Sequence, residues 1–78
     1  PNPAIDRVQL EVSRFEGRQV DIRVSNWTGQ MLFSQRIDRL DQSLISLDVN
    51  GWKNGMYVVW IQAKGERPVT KKLMVIEE

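Results

Sequence analysis

Apolar side chains fall at every second position in short runs of this chain: Val8, Leu10 and Val12, then Val20, Ile22 and Val24, then Ile45, Leu47 and Val49, then Tyr57, Val59 and Ile61. Gln9, Glu11, Asp21 and Arg23 occupy the alternate places in the first two runs. Because a strand sends successive side chains to opposite faces, each run buries one face and wets the other. Glycines punctuate the series. Phe15-Glu16-Gly17-Arg18 suits a hairpin loop between the first two runs, and Asn26-Trp27-Thr28-Gly29 supplies turn chemistry ahead of a third strand over residues 30–35.

Charges interrupt the alternation over residues 37–41, and a fourth strand is expected over 43–49. Asn50-Gly51 and Asn54-Gly55 then allow two sharp turns around Trp52 before a long strand over 56–63. Lys64-Gly65-Glu66-Arg67-Pro68 reads as the next turn, with a last strand over 69–77. An additional short strand near Ile5 or Ile37 brings the total to about seven. Short strands with regular turn signals and no helical period predict an all-β fold, an immunoglobulin-like antiparallel β-sandwich.

At 78 residues the chain forms one domain with a thin core, burying only about 60–65% of its unfolded surface. It has no cysteine, so packing must hold it without disulfides, and no thiol nucleophile or thiolate metal site exists. Eleven basic and ten acidic side chains, interspersed, give a formal charge of +1. Such a balance creates no long-range field for nucleic acid or an anionic membrane. No apolar span is long enough for membrane insertion. The chain also lacks histidine, a nucleophile elbow, a phosphate-cradling glycine loop and a recognisable carboxylate pair, so it is read as non-catalytic and without cofactors. Asn26-Trp27-Thr28 fits a glycosylation acceptor pattern but is read as a turn, and Asp38 and Asp41 as solvated loop charges rather than calcium ligands.

The two ends of the chain carry further patterns. Pro1-Asn2-Pro3-Ala4 fixes φ at two places and disfavours helix at Asn2, giving a stiff, extended lead-in. Gly55-Met56-Tyr57-Val58-Val59-Trp60-Ile61 places Tyr57, Val59 and Ile61 on one face, where a tyrosine among aliphatics buries its ring. Met56, Val58 and Trp60 on the opposite face are unusual for a sheet whose outer side is wet. Either the strand is central and its neighbours shield them, or they form a docking patch with Phe33 or Met31. Lys71-Lys72-Leu73-Met74-Val75-Ile76 joins a basic pair to an aliphatic run. Lysines on an exposed edge ordinarily protect against strand-to-strand aggregation.

Taken together, Pro1-Asn2-Pro3-Ala4, Gly29, the Gly-x-Tyr-x-Val-x-Ile pattern at Gly55, Tyr57, Val59 and Ile61, and the terminal run from Lys71 to Ile76 closely resemble the C-terminal sorting domain of the type IX secretion system of Bacteroidetes. In that family a leucine usually stands at the place of Trp52. The resemblance implies that residues 1–4 are a linker and lead-in, and that residues 5–78 are the sorting domain. It further implies that the domain carries its parent protein across the outer membrane to the cell surface, where a sortase-like peptidase removes it. Its implied partners are the secretion machinery, that peptidase and an upstream cargo domain, with Lys71, Lys72, Leu73, Met74, Val75 and Ile76 as the segment read. Strand addition and surface charge both remain open as the mode of reading. Dimerisation through edge strands is allowed by the exposed sheet edges. Two other readings are an adhesion or carbohydrate-binding module, with Trp27, Trp52 and Trp60 as a stacking platform, and a structural spacer.

Overall fold

The computed structural model of the chain describes residues 6–76, in which there are six strands and one 3-10 turn. β1 spans Arg7–Glu11, β2 Val20–Asn26, β3 Met31–Ile37, β4 Leu44–Asp48, β5 Gly55–Ala63 and β6 Val69–Val75, and the 3-10 turn is Ser13–Phe15. Pro1-Asn2-Pro3-Ala4, the strand considered near Ile5 and the last two residues of the chain lie outside the described residues. Ile37, the other place considered for a seventh strand, closes β3.

Two antiparallel sheets face each other as an all-β sandwich. One contains β1 and β4, and the other has the order β3-β2-β5-β6. β1 and β4 stand where the B and E strands of an immunoglobulin-like sandwich stand, and β3-β2-β5-β6 where C′, C, F and G stand. The expected hairpin between the first two runs is therefore corrected. Residues 12–19 cross from one sheet to the other, because Val12 and Phe15 turn inward and the 3-10 turn carries the chain over the core end.

The alternation does what the sequence implies. Val20, Ile22 and Val24 of β2 face inward opposite Ala63, Ile61 and Val59 of β5, and all six are essentially inaccessible to solvent. Leu10, Ile45 and Leu47 close over them from the small sheet. At one end of the sandwich Phe15 and Leu40 seal the core from two irregular segments. Those segments are tied by backbone bonds, Leu40 N–H donating to the Arg18 carbonyl at 2.9 Å and Gly17 N–H to the Leu40 carbonyl at 2.7 Å.

At the other end the chain turns from β4 into β5. Asn50 N–H donates to Asp48 Oδ1 at 2.9 Å, Trp52 N–H to the Val49 carbonyl at 3.0 Å, and Gly51 takes φ +85°, a conformation costly for any residue with a Cβ. The Tyr57 hydroxyl donates back to the Lys53 carbonyl, while its ring lies 5.0 Å from that of Trp52 with the planes tilted by 40°. This is the tyrosine corner of immunoglobulin-like sandwiches, at the start of the strand that corresponds to F. It satisfies a buried hydroxyl locally and lets Trp52 plug the end of the sandwich.

Ring and hydroxyl can be separated by mutation. Tyr57→Phe removes one hydrogen bond and is expected to cost about 1 kcal/mol. Tyr57→Ala removes a ring that is 4% exposed and is expected to cost ~3–5 kcal/mol, most of the stability of so small a domain. Urea denaturation followed by tryptophan fluorescence measures both. Equal losses in the two variants would assign the effect to the hydroxyl and contradict the packing role of the ring.

Candidate recognition surface

β5 lies between β2 and β6, so its outward residues sit in the middle of the large sheet. Met56, Val58 and Trp60 are each half-buried there. Trp60 lies across from Arg23 of β2 and Thr70 of β6, and the Arg23 guanidinium sits 4.7 Å from the centre of its ring. Val58 faces Ser25 and Lys72, and Met56 faces Met74. The shielding explanation holds in part: the strand is central and flanked, and the row still reaches solvent.

Met31 borders this surface, lining with Arg23, Ser25, Gly29, Val58 and Trp60 a depression of about 350 Å³. Phe33 does not join it. It is paired with Val24 and packs from the core side. Trp27 stands at the tip of the β2–β3 turn, 67% exposed, with Lys72 Nζ 6.0 Å from its ring centre. Trp52 belongs to the core end, so the three tryptophans do not converge on a single stacking platform.

The turn beneath Trp27 explains Asn26. Its Oδ1 accepts from Thr28 N–H at 3.1 Å, Thr28 Oγ1 at 2.8 Å and Gln30 N–H at 2.8 Å, and Gly29 takes φ +94°. The side chain is occupied in closing the hairpin, as the turn reading requires.

β6 divides its residues between the two faces. Leu73 and Val75 point into the core, with Leu73 opposite Tyr57 and Val75 opposite Gly55. Met74 is half-buried beside Met56, while Lys71, Lys72 and Ile76 are exposed. Lys71 shares the inward row of Leu73 and Val75, but the small sheet does not extend far enough to cover it. Its charge instead acts on Glu11 of β1. Sequence reasoning missed this inward placement, although the odd-numbered alternation of Val69, Lys71, Leu73 and Val75 carries the signal.

Asp38 and Asp41 lie exposed in the β3–β4 connection, and among the described residues no group of three or more His, Cys, Asp or Glu is arranged to hold a metal ion. Nor is any helix among them long and apolar enough to cross a membrane.

Over residues 1–77 the sequence matches the family described as the secretion system C-terminal sorting domain. The chain belongs to that family. A comparison with curated proteins and one with solved structures find no match. The family is the sorting signal of type IX secretion, so this sorting domain directs its parent protein into that export route, with the type IX machinery as its partner. The adhesion alternative has no support.

Electrostatics on the sorting domain are local. The Arg36 guanidinium hydrogen bonds to Asp21 at 2.8 Å and holds that carboxyl below its ordinary range, and Arg18 does the same to Glu66, also at 2.8 Å. The Ser13 hydroxyl donates to Glu11 and lowers it likewise, with a smaller contribution from Lys71. Carboxylates lowered by folding contribute stability that is present above their unfolded pKa, about 4, and lost as pH falls through the folded values. The thermal midpoint should therefore be flat above about pH 5 and fall below about pH 4. Arg36→Gln should shallow this acid limb slightly, since the pair is exposed to solvent. Differential scanning calorimetry across that range is the check, and a fall confined to alkaline pH would refute the assignment.

Proposed function

We propose that the sorting domain is read as a folded module, through the terminal strand β6 and the outer face of β5, rather than as a linear peptide. In this reading residues 5–78 are the module and residues 1–4 join it to a cargo domain upstream. The module has no catalytic role. After export, a sortase-like peptidase at the cell surface removes it and frees or anchors the cargo.

One observation carries the proposal. Leu73 is 7% and Val75 1% exposed, while Lys71 and Lys72, in the same strand, face solvent. Burying the aliphatic residues fixes the register of the strand, and that register fixes where the lysines stand. A signal built this way depends on the core behind it.

Fusing residues 1–78 to a neutral reporter tests this. In a type IX-competent strain the reporter should reach the cell surface, and in a strain lacking the machinery it should stay in the periplasm. Retention in both strains would overturn the reading.

The outer face is tested by Trp60→Ser in the same fusion. The indole is only half-buried and lies outside the core, so the domain should still fold by circular dichroism while surface delivery falls several-fold. Delivery at the unmodified level by a folded variant would remove the outer face from the signal.

A further inference from the structure

Among the described residues the sandwich has four strand edges, those of β1, β4, β3 and β6, and they are not equivalent. β1 and β4 offer five residues each. β3 offers seven, but its register shifts between Val24 and Ser25, leaving Leu32 as an extra residue in a bulge. Bulges of this kind spoil an edge for further pairing. β6 also offers seven, pairs with β5 in unbroken register from Val69 to Val75, and makes no other backbone hydrogen bond among the described residues. It is the one long, regular edge that the described fold leaves available.

The charges beside that edge choose what can use it. Lys71 and Lys72 are adjacent, so they flank the edge on opposite faces of the sheet. Lys72 is braced against the Trp27 ring at 6.0 Å, and Lys71 stands near Glu11, whose carboxylate is already engaged by the Ser13 hydroxyl. Consider β6 of a second copy added antiparallel about the midpoint of the strand. Lys72 would then lie directly opposite its own counterpart on one face, and the two copies of Lys71 would be diagonal neighbours on the other. Like charges placed so are destabilising, and opposite charges in the same places are stabilising. In that register self-pairing is disfavoured on both faces at once.

We infer that β6 is a strand-addition site for an extended, acidic segment of a partner polypeptide, one carrying two adjacent carboxylate side chains opposite Lys71 and Lys72. Backbone hydrogen bonds along the free edge supply the affinity, and the two lysines supply the selection against a second copy of the domain. Placing that segment in the type IX machinery rests on the export reading above. The edge chemistry itself does not.

The test therefore has two arms. In the first, the 78-residue chain is titrated with capped heptapeptides of alternating valine and threonine, one with two adjacent glutamates at its centre and one with two lysines. Binding is followed by amide shifts and hydrogen exchange. The glutamate peptide should slow exchange at alternate β6 amides and bind about tenfold more tightly than the lysine peptide. The preference should invert in the double variant Lys71→Glu, Lys72→Glu, whose altered side chains are exposed and whose fold is checked by circular dichroism, with Lys72→Glu alone, away from Glu11, as the second variant. Equal binding of the two peptides, or protection at β3 instead of β6, would overturn the inference.

In the second arm the double variant is compared with the unmodified reporter fusion. Surface delivery should drop about tenfold, the factor by which the edge discriminates. Undiminished delivery would remove strand addition at β6 from the export step while leaving the export reading intact. Failure of the unmodified fusion itself would sink that reading and leave the first arm to decide the chemistry of the edge.

Discussion

Two strands cover four. The β1–β4 pair is narrower than the sheet it packs against, so only the inner strands β2 and β5 are sealed, and their inward residues are nearly inaccessible. The inward rows of the outer strands are sealed unevenly. On β3, Phe33 and Ile37 pack against the margin of the core while Gln35 between them is exposed. On β6, Leu73 and Val75 are buried but Lys71 is exposed. A long side chain with a charged tip tolerates such a margin, because its stem lies along apolar surface while its ammonium stays in water. The charge at the edge thus follows from the mismatch in sheet width.

With so narrow a lid and no disulfide, the ends of the sandwich matter as much as its middle. Each end is closed by an aromatic and a locally satisfied backbone. Trp52 and Tyr57 close one through the hydroxyl bond to the Lys53 carbonyl, and Phe15 with Leu40 closes the other through paired loop amides. The large ring at Trp52 fills volume at the end where the β4–β5 corner, shaped by Gly51, leaves the two sheets open. Among the described residues that are not exposed, no buried side-chain nitrogen or oxygen lacks a partner, so these closures do not strand polar groups.

Much of this was legible because period-two alternation is a direct record of burial. The inward rows of β2, β4 and β5, the turn role of Asn26 and the glycine corner at Gly51 and Gly55 could all be read from residue order. Leu40 and Phe15 could not, since each lies in an irregular segment where no period says which way a side chain points. The crossing of residues 12–19 was also hidden. Gly17 marks a turn, and a turn alone does not say whether the following strand pairs with the previous one or lies in the opposite sheet. The β3 bulge had no signal stronger than the run of exposed apolar residues at Met31 and Leu32.

The surface proposed for recognition was half legible for the same reason. Sequence placed the terminal run and its lysines, but the distinction between an edge that is broken and an edge that is regular exists only in three dimensions. On the proposed reading, that distinction gives the folded state its role. An unfolded tail of the same composition would carry the two lysines on a chain sampling many conformations, and a partner would have to bear the ordering cost of about 1–2 kcal/mol per residue for the backbone alone. Held by Leu73 and Val75, the strand meets that cost during folding, so a partner that adds to it orders only its own segment. On the proposed reading, loss of the core would return that cost to the encounter, and this would couple a sorting signal of modest charge to the packed sandwich behind it.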